Sequence, residues 1–313
     1  MESNRVKGVF FIIMSAFGFA LMSAFVKLAG DLPSLQKVFF RNLVASMVAL
    51  YLIIKHHGRM LGKKENMPVL IMRSVFGTLG MILNFYAIDH LILADASMLN
   101  KISPFLVVIF SALFLKEKMN IKQIGMIVVA FIGALFIIKP SFSIEMVPYL
   151  AGLLGAVCAA AAYTCVRAIG DKEDYYTIVF FFSAFSMLSV LPFVLVNYQP
   201  MSSMQLLYLI LAGVSASIGQ FGVTLAYKYA PAREISIFDY TNIIFSAILG
   251  IFIFGNYPDG VSMIGYLIIF GSAAYMFMYN KKIYRDENKK AAEDAANEKI
   301  TDKIDKNKEI PSV

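Results

Sequence analysis

Ten apolar runs, each about as long as the helix that crosses a lipid bilayer, limit what this chain can fold into more than any other feature of its sequence. They cover residues 8–28, 36–55, 68–88, 94–115, 121–139, 147–167, 175–197, 205–229, 232–254 and 260–280. An α-helix needs about 20 apolar residues to cross the roughly 30 Å of hydrocarbon in a bilayer. A soluble fold could not bury so many runs without exposing large apolar patches. The sequence therefore predicts an all-α, polytopic membrane protein with ten transmembrane helices.

The charged residues, which make up only 16% of the chain, lie mainly between the runs. If the N-terminus is inside, most lysines and arginines fall in loops on the inner side, and the outer side has only Lys27, Lys37 and Lys139. Short cytoplasmic loops carry an excess of these residues. We therefore predict a multi-pass protein of the cell membrane with both termini cytoplasmic. The net charge of +7 then reflects orientation in the membrane, and no nucleic-acid partner is predicted.

Two prolines lie inside the runs, whereas most of the others lie near run ends. Pro104 is in the fourth run and Pro192 is in the seventh. A proline removes one backbone hydrogen bond, so each predicts a local kink whose freed groups are satisfied by neighbouring helices.

The last part of the chain differs from the rest in composition. Residues 281–313 are rich in acidic and basic side chains and have almost no large apolar ones. Such a segment cannot bury enough surface to fold alone. We predict a charged cytoplasmic tail at 281–313.

The chain shows partial self-similarity when it is shifted by 139 residues, which places 73–117 over 212–256. The matched pairs are Gly80 with Gly219, Ala87 with Ala226, Asp95 with Glu234, Ser97 with Ser236 and Asn100 with Asp239. Because five helices per copy is an odd number, the second copy must be inserted upside down. Inverted repeats occur in secondary transporters, with the substrate site near the midplane. We predict a first repeat at 1–140 (helices 1–5) and a second at 141–280 (helices 6–10).

Two stretches resemble the EamA-type repeats of the drug/metabolite transporter superfamily. The segment from Pro33 to Arg41 looks like that family's proline-to-arginine beginning of helix two. The segment 84–118, which begins Asn-Phe-Tyr-Ala and ends Leu-Lys-Glu-Lys, looks like its signature for helices three and four. The second half matches less closely, because the family's proline is replaced near Ile243 and its closing glutamate by Asn256. The resemblance implies ten helices, an inverted repeat around a central cavity, and usually export of amino acids, metabolites or drugs.

Polar residues deep in the apolar runs are the candidate site. A charge at the centre of a bilayer costs roughly 2.5–3.5 kcal/mol on insertion scales, so such residues face the bundle interior or a wet cavity. Lys101 on helix four and Asp239 on helix nine lie within roughly 4–6 Å of the predicted midplane. Under the repeat alignment Lys101 corresponds to Tyr240. The candidate substrate-binding residues are Lys101, Asp239, Asn100, Tyr86, Asn84, Gln220, Tyr240, Asn242, Arg41 and Tyr163.

Lys101 and Asp239 suggest complementary roles. Lys101 would attract a carboxylate or phosphate, and Asp239 would bind an amine or carry the coupled proton. Desolvation favours the neutral form of a carboxyl group, which a proton carrier must adopt at neutral pH. Alternatively the two residues form a structural ion pair, or backbone carbonyls satisfy each of them separately. Replacing Asp239 by asparagine is expected to abolish pH-driven flux and to leave folding intact.

Two arginines lie nearer the ends of their runs. Arg41 is near the outer end of helix two and Arg73 is near the inner end of helix three. Both are within reach of an interface, because a long basic side chain can extend its charged group to water. We expect Arg73 to do so, whereas for Arg41 the family resemblance leaves substrate binding and structural pairing both open.

Other functional classes fit less well. No H-E-x-x-H or G-x-S-x-G motif occurs, and His56, His57 and His90 lie at loops or run ends, which argues against an enzyme or a metal site. The absence of a G-x-x-x-x-G-K-[ST] loop argues against direct use of ATP, and no cofactor is predicted. A channel or membrane scaffold is the alternative, although single, asymmetric charges differ from the rings of charge in ion channels.

We therefore predict a secondary transporter, an exporter or exchanger of a small polar metabolite, that works by alternating access. An amino acid or related zwitterion fits the Lys101 and Asp239 pair best, and a drug or nucleotide-linked metabolite is the alternative. Small residues on helix five also predict a face for a homodimer. They are Gly125, Ala130, Gly133 and Ala134.

Overall fold

The computed structural model describes residues 2–116, 120–139, 144–229, 236–280 and 282, and these residues form α-helices joined by short 3-10 turns and loops. The helices are α1 (Glu2–Leu28), α2 (Ser34–Lys55), α3 (Met67–His90), α4 (Leu93–Asn100), α5 (Ser103–Phe114), α6 (Ile121–Ile138), α7 (Val147–Ile169), α8 (Tyr175–Val196), α9 (Ser203–Tyr229), α10 (Thr241–Phe254) and α11 (Gly260–Asn280). The predicted tail, the matched residue Glu234 and the family-like Glu117 lie outside the described residues.

The described segments give the ten spans that the apolar runs predict. By length and composition, nine helical segments are able to cross a membrane, with α4 and α5 counted together as Leu93–Phe114. The shorter apolar helix Phe238–Phe254 provides the tenth. The prediction of an all-α membrane protein with ten helices is therefore confirmed.

Helices of the first half pack mainly against helices of the second half. The most extensive contacts are α1 with α9, α3 with α7, and α2 with α8. In the predicted repeats α1 corresponds to α7, α2 to α8 and α3 to α9. Replacing each helix by its counterpart therefore converts the α1–α9 pair into the α7–α3 pair and leaves the α2–α8 pair unchanged. The packing therefore follows the internal two-fold relation expected of an inverted repeat.

Small residues make the α1–α9 contact close. A Cβ atom added to Gly18 would lie 2.8 Å from the backbone nitrogen of Gly219 and 2.9 Å from the carbonyl oxygen of Ser215. Backbone atoms cannot rotate out of the way as a side chain can, so the two helices would have to move apart. Close approach at small residues is a common way for membrane helices to associate.

We expect Gly18→Ala to lower the free energy of unfolding by about 1–3 kcal/mol, as overpacking of a tight contact generally does. The measurement is thermal unfolding of the purified protein in detergent. Gly125→Ala is the matched control, because nothing lies within 4 Å of the Cβ position at Gly125. Equal melting temperatures for the two variants would contradict the close α1–α9 contact.

The fourth span is broken in its middle. Asn100 ends α4, Lys101 and Ile102 form a turn, and α5 begins at Ser103 with Pro104 in its first turn. Proline has no backbone N–H to donate, so it fits the start of a helix better than its interior. The distortion predicted at Pro104 is thus a two-residue turn whose backbone N–H groups still donate to the last turn of α4, whereas Pro192 remains inside α8.

The ninth span also differs from the continuous helix predicted at 232–254. Ser236–Tyr240 is a 3-10 turn, and the α-helix begins only at Thr241. Asp239 therefore lies on a turn that precedes α10, as Lys101 lies on a turn that follows α4. Both central charges are carried by interruptions of a span.

Most of the homodimer face predicted on helix five is used inside the monomer. Ala130 and Ala134 are fully buried. A Cβ atom on Gly133 would meet Ile269, Ile268 and the backbone of Gly265 on α11. Three of the four small residues are therefore packed within the monomer, whereas nothing lies within 4 Å of the Cβ position at Gly125. Homodimerisation itself stays a prediction.

Candidate functional site

Lys101 and Asp239 form an ion pair that joins the two halves of the chain. The Nζ atom of Lys101 donates to Oδ2 of Asp239. The Lys101 side chain is 12% exposed and that of Asp239 is 27% exposed. The structural ion pair that the sequence left open is therefore present, in a site that is partly accessible.

Polar side chains around the pair tie the broken spans to their neighbours. The hydroxyl group of Tyr240 donates to the carbonyl oxygen of Lys101 at 3.3 Å. The Nδ2 atom of Asn100 donates to Oδ1 of Asn84 at 3.4 Å. Asn242 donates to the carbonyl oxygen of Ala16 at 2.9 Å, which links α10 to α1. The first contact joins the two turns directly, and the other two fix each interrupted span to a neighbouring helix, α3 or α1.

A serine pair adds a second link between α4 and α10. The hydroxyl group of Ser97 donates to that of Ser246 at 2.8 Å, and both residues are buried. Spans four and nine are counterparts in the two predicted repeats, so exchanging the repeats leaves this pair of spans unchanged. The ion pair therefore lies where the two halves of the protein meet, which is where transporters with inverted repeats bind substrate.

The ion pair also limits what each charge can do alone. Removing one partner of a buried pair leaves an uncompensated charge, which is strongly unfavourable. Protonation of Asp239 would leave Lys101 in that state unless another anion took its place. A zwitterion satisfies both groups at once, because its carboxylate can bind Lys101 while its amine binds Asp239.

A second group of predicted residues lines a cleft between α2, α8 and α9. The cleft is narrow, with a cavity volume of about 10 Å³, about enough for one water molecule. Its lining residues are Arg41, Ala45, Val179, Phe182, Ser183, Ser217, Gln220 and Phe221. Arg41 is only 3% exposed, and its Nη1 atom donates to Oδ1 of Asn42 at 2.7 Å. The structure thus separates Arg41 and Gln220 from the ion pair.

Arg73 joins this second group, although the sequence predicted that its side chain would extend to the interface. It is only 7% exposed, and its guanidinium carbon lies 3.9 Å from the ring centroid of Phe182. The prediction is wrong because Phe182, from a helix distant in sequence, offers the guanidinium an aromatic face inside the bundle. The sequence did contain a signal for this burial, because Arg73 is a second arginine within an apolar run.

Two predicted tyrosines lie apart from the ion pair. Tyr163 is 49% exposed. Tyr86 lies against His90 near the end of α3, with ring centroids 4.2 Å apart and the ring planes tilted by 34°. The sequence analysis grouped both with the deep cavity residues, because the position of a residue along a helix gives its depth in the membrane but not the direction in which its side chain points.

A further ion pair was missed by the sequence analysis. Lys37 is 0% exposed, and its Nζ atom lies 2.5 Å from Oδ1 of Asp89. Lys27, on α1, donates to the carbonyl oxygens of Ile88 and Leu91 close by. Asp89 lies one residue beyond the predicted third run, which placed it in a loop, so its burial could not be read from hydropathy.

Comparison with known proteins gives a consistent result. Residues 6–139 and 146–278 each match the family described as "EamA-like transporter family". The "Pseudopaline exporter CntI" of Pseudomonas aeruginosa is 35% identical over 265 residues, 84% of this chain and 93% of that protein. The "S-adenosylmethionine uptake transporter" of Rickettsia prowazekii is 24% identical over 281 residues, 88% of this chain and 94% of that protein.

The fold is also similar to that of a protein of known crystal structure. The two superpose with a TM-score of 0.63 at 19% sequence identity, over 90% of this chain and 99% of that chain. At this identity the likeness shows the fold alone. The two relatives are named for transport in opposite directions, so their names do not give a direction.

Proposed function

Because this chain belongs to the EamA-like transporter family and is a membrane transporter of small metabolites rather than an enzyme, we propose that it carries a small zwitterion, an amino acid or related compound. The observation that supports this proposal is the partly accessible Lys101–Asp239 ion pair between the two halves of the chain. A bound zwitterion offers a carboxylate to the lysine and an amine to the aspartate. The pair compensates its own charges when no substrate is bound.

The position of the pair supports alternating access as the mechanism. Lys101 lies on the turn between α4 and α5, and Asp239 lies on the turn before α10. When a zwitterion separates the two side chains, the direct link between these turns is replaced by a link through the substrate. Movement of one half against the other then exposes the site to the opposite side of the membrane.

The direction and the coupling are part of the proposal. We assign the protein to the cell membrane with both termini cytoplasmic and to export or exchange, which the exporter among its relatives supports. Asp239 carries the coupled proton at the stage when the substrate carboxylate compensates Lys101. In this order the lysine never remains without an anion.

Counterflow in proteoliposomes tests the proposal. We expect external labelled alanine, glutamate or S-adenosylmethionine to accumulate only when the same unlabelled compound is inside the vesicles. The physical reason is that a carrier returns its site loaded, whereas a channel gains nothing from substrate on the other side. Uptake of the labelled compounds without stimulation by internal substrate would favour a channel and contradict the proposal.

A further inference from the structure

We propose that Arg41 and Arg73 form a second, anion-binding subsite that takes a carboxylate or phosphate group of the transported metabolite. This inference rests on the proposed function and deepens it. The first subsite, Lys101 with Asp239, suits a zwitterionic group without net charge. A second subsite with two positive charges makes the preferred substrate a zwitterion that carries an additional acidic group.

The first observation is that both arginines are buried without an acidic partner. Among the described residues, the lysines that form ion pairs are Lys37, Lys101 and Lys139, with Asp89, Asp239 and Asp259. Neither Arg41 nor Arg73 forms such a pair within this part of the chain. Burying a charge without a counter-charge is costly, so a protein that retains two of them has a use for their positive charge.

The second observation is that donor atoms around Phe182 lack acceptors. The Nε atoms of Arg41 and Arg73 and the hydroxyl group of Ser183 are buried and have no hydrogen-bond partner. Arg41, Phe182 and Ser183 line the same cleft, and the guanidinium of Arg73 lies against the ring of Phe182. These donors come from α2, α3 and α8.

The two guanidinium groups share one neighbour, because Arg41 lines the cleft together with Phe182 and the guanidinium carbon of Arg73 lies 3.9 Å from the centroid of the same ring. Like charges in a region of low dielectric repel one another. An oxyanion between them removes this repulsion and supplies acceptors to the unpartnered donors. Arginine suits this role because its planar group donates two parallel hydrogen bonds to a carboxylate or phosphate.

The position of the cleft favours the substrate as the source of the anion. Its walls are α2 of the first half and α8 and α9 of the second half, so it lies between the parts that move in alternating access. Gln220 and Ser217 add polar groups on the α9 side. An acidic lipid headgroup shares the same chemistry, and the experiment therefore separates the two sources.

The test uses the absence of tryptophan from the chain. Phe221→Trp places one fluorescent reporter in the lining of the cleft. The full-length protein in phosphatidylcholine nanodiscs is titrated with citrate, glutamate, inorganic phosphate, alanine and putrescine. We expect a saturable change in emission with the first three probes and a much weaker response to the last two.

Arg41→Gln and Arg73→Gln, each in the reporter background, are expected to weaken citrate binding by about 10- to 100-fold, the range for loss of a hydrogen bond to a charged group. Arg59→Gln is the matched control, because Arg59 is an exposed arginine outside the cleft. Arg73→Lys keeps the charge but loses paired donation, so it should bind citrate with intermediate affinity. Equal citrate affinity in all four variants would overturn the subsite.

Thermal unfolding of the unmodified chain gives a measurement that does not depend on the reporter. In the absence of anions, Arg41→Gln and Arg73→Gln should leave the melting temperature unchanged or raise it, because each removes a buried, unpaired charge. Citrate should stabilise the parent protein and not the two variants. A lower melting temperature in both variants, with citrate still stabilising them, would show a structural role and contradict the inference.

Two further outcomes separate this inference from the proposed function. If the reporter responds to phosphatidylglycerol in the nanodisc and citrate does not reverse that response, the anion is a lipid headgroup and the inference fails. If counterflow occurs at the same rate and with the same substrate preference in both arginine variants, the function stands and the subsite falls. If citrate binding depends on the arginines but no probe shows counterflow, the anion site stands and the proposed zwitterion substrate falls.

Discussion

Replacing Asp239 with asparagine is expected to reduce counterflow by about 100-fold or more, the scale for truncating one partner of a hydrogen-bonded charge pair. The variant cannot bind the amine of a zwitterion by charge, and it leaves Lys101 without its ion-pair partner. Flux driven by a pH gradient should disappear altogether, because asparagine does not carry a proton. The measurements are counterflow and pH-driven uptake in proteoliposomes of the same protein density.

The structure changes one part of the expectation formed from the sequence. Because Asp239 contacts Lys101 directly, the single variant also loses stability, so folding does not remain fully intact. The double variant Lys101→Met with Asp239→Asn removes both charges and should recover the melting temperature of the parent protein. It should not recover counterflow, since neither charged group of the substrate has a partner.

Asp259→Asn is the matched control for this series. Asp259 makes the same kind of pair with Lys139, but both side chains are exposed. An exposed pair contributes about 0–1 kcal/mol, so this variant should retain counterflow and nearly all of its stability. Undiminished pH-driven flux in the Asp239 variant would remove Asp239 from the coupling mechanism.

Replacing Asp89 with asparagine is expected to lower the free energy of unfolding by about 3–5 kcal/mol, the largest stability effect that we predict. Lys37 is fully buried, and the substitution leaves its ammonium without a carboxylate. Lys27 donates to the carbonyl oxygens of Ile88 and Leu91, next to Asp89 in the chain, so the loss of the carboxylate also removes a negative charge close to a second lysine. Thermal unfolding in detergent and unfolding in increasing dodecyl sulfate measure the effect.

A second variant distinguishes the effect of an unpaired lysine from a general folding defect. Lys37→Met with Asp89→Asn removes both charges, and replacing a buried pair by apolar groups is often neutral or stabilising. The double variant should therefore be more stable than Asp89→Asn alone. If Asp89→Asn unfolds at the temperature of the parent protein, Lys37 is not buried in the way described.

The Lys101–Asp239 pair shows how far a sequence argument can reach in a membrane protein. Hydropathy placed both residues deep in apolar runs, and the internal repeat placed those runs opposite each other. Depth and symmetry together predicted that the two residues belong to one site. The break of the fourth span was signalled by Pro104, but the turn that carries Asp239 had no such marker and was predicted as helix.

Arg73 and Gly133 show where such an argument ends. Both were assigned to the outside of the bundle, Arg73 to an interface and Gly133 to a second copy of the chain. In the structure Arg73 lies on Phe182 and Gly133 packs against Gly265. Each partner is far away along the chain, and no local pattern identifies it.

The sequence alone determined the membrane environment, the helical class and the number of spans. These follow from local physics, because a chain in hydrocarbon must satisfy its backbone hydrogen bonds within each apolar segment, and only a helix does so. The tertiary structure alone decided which polar groups meet. Lys101 finds Asp239, Lys37 finds Asp89, and Arg41 and Arg73 find no acid among the described residues. These outcomes depend on the direction in which each helix turns its side chains, which is set by packing between distant segments and not by hydropathy.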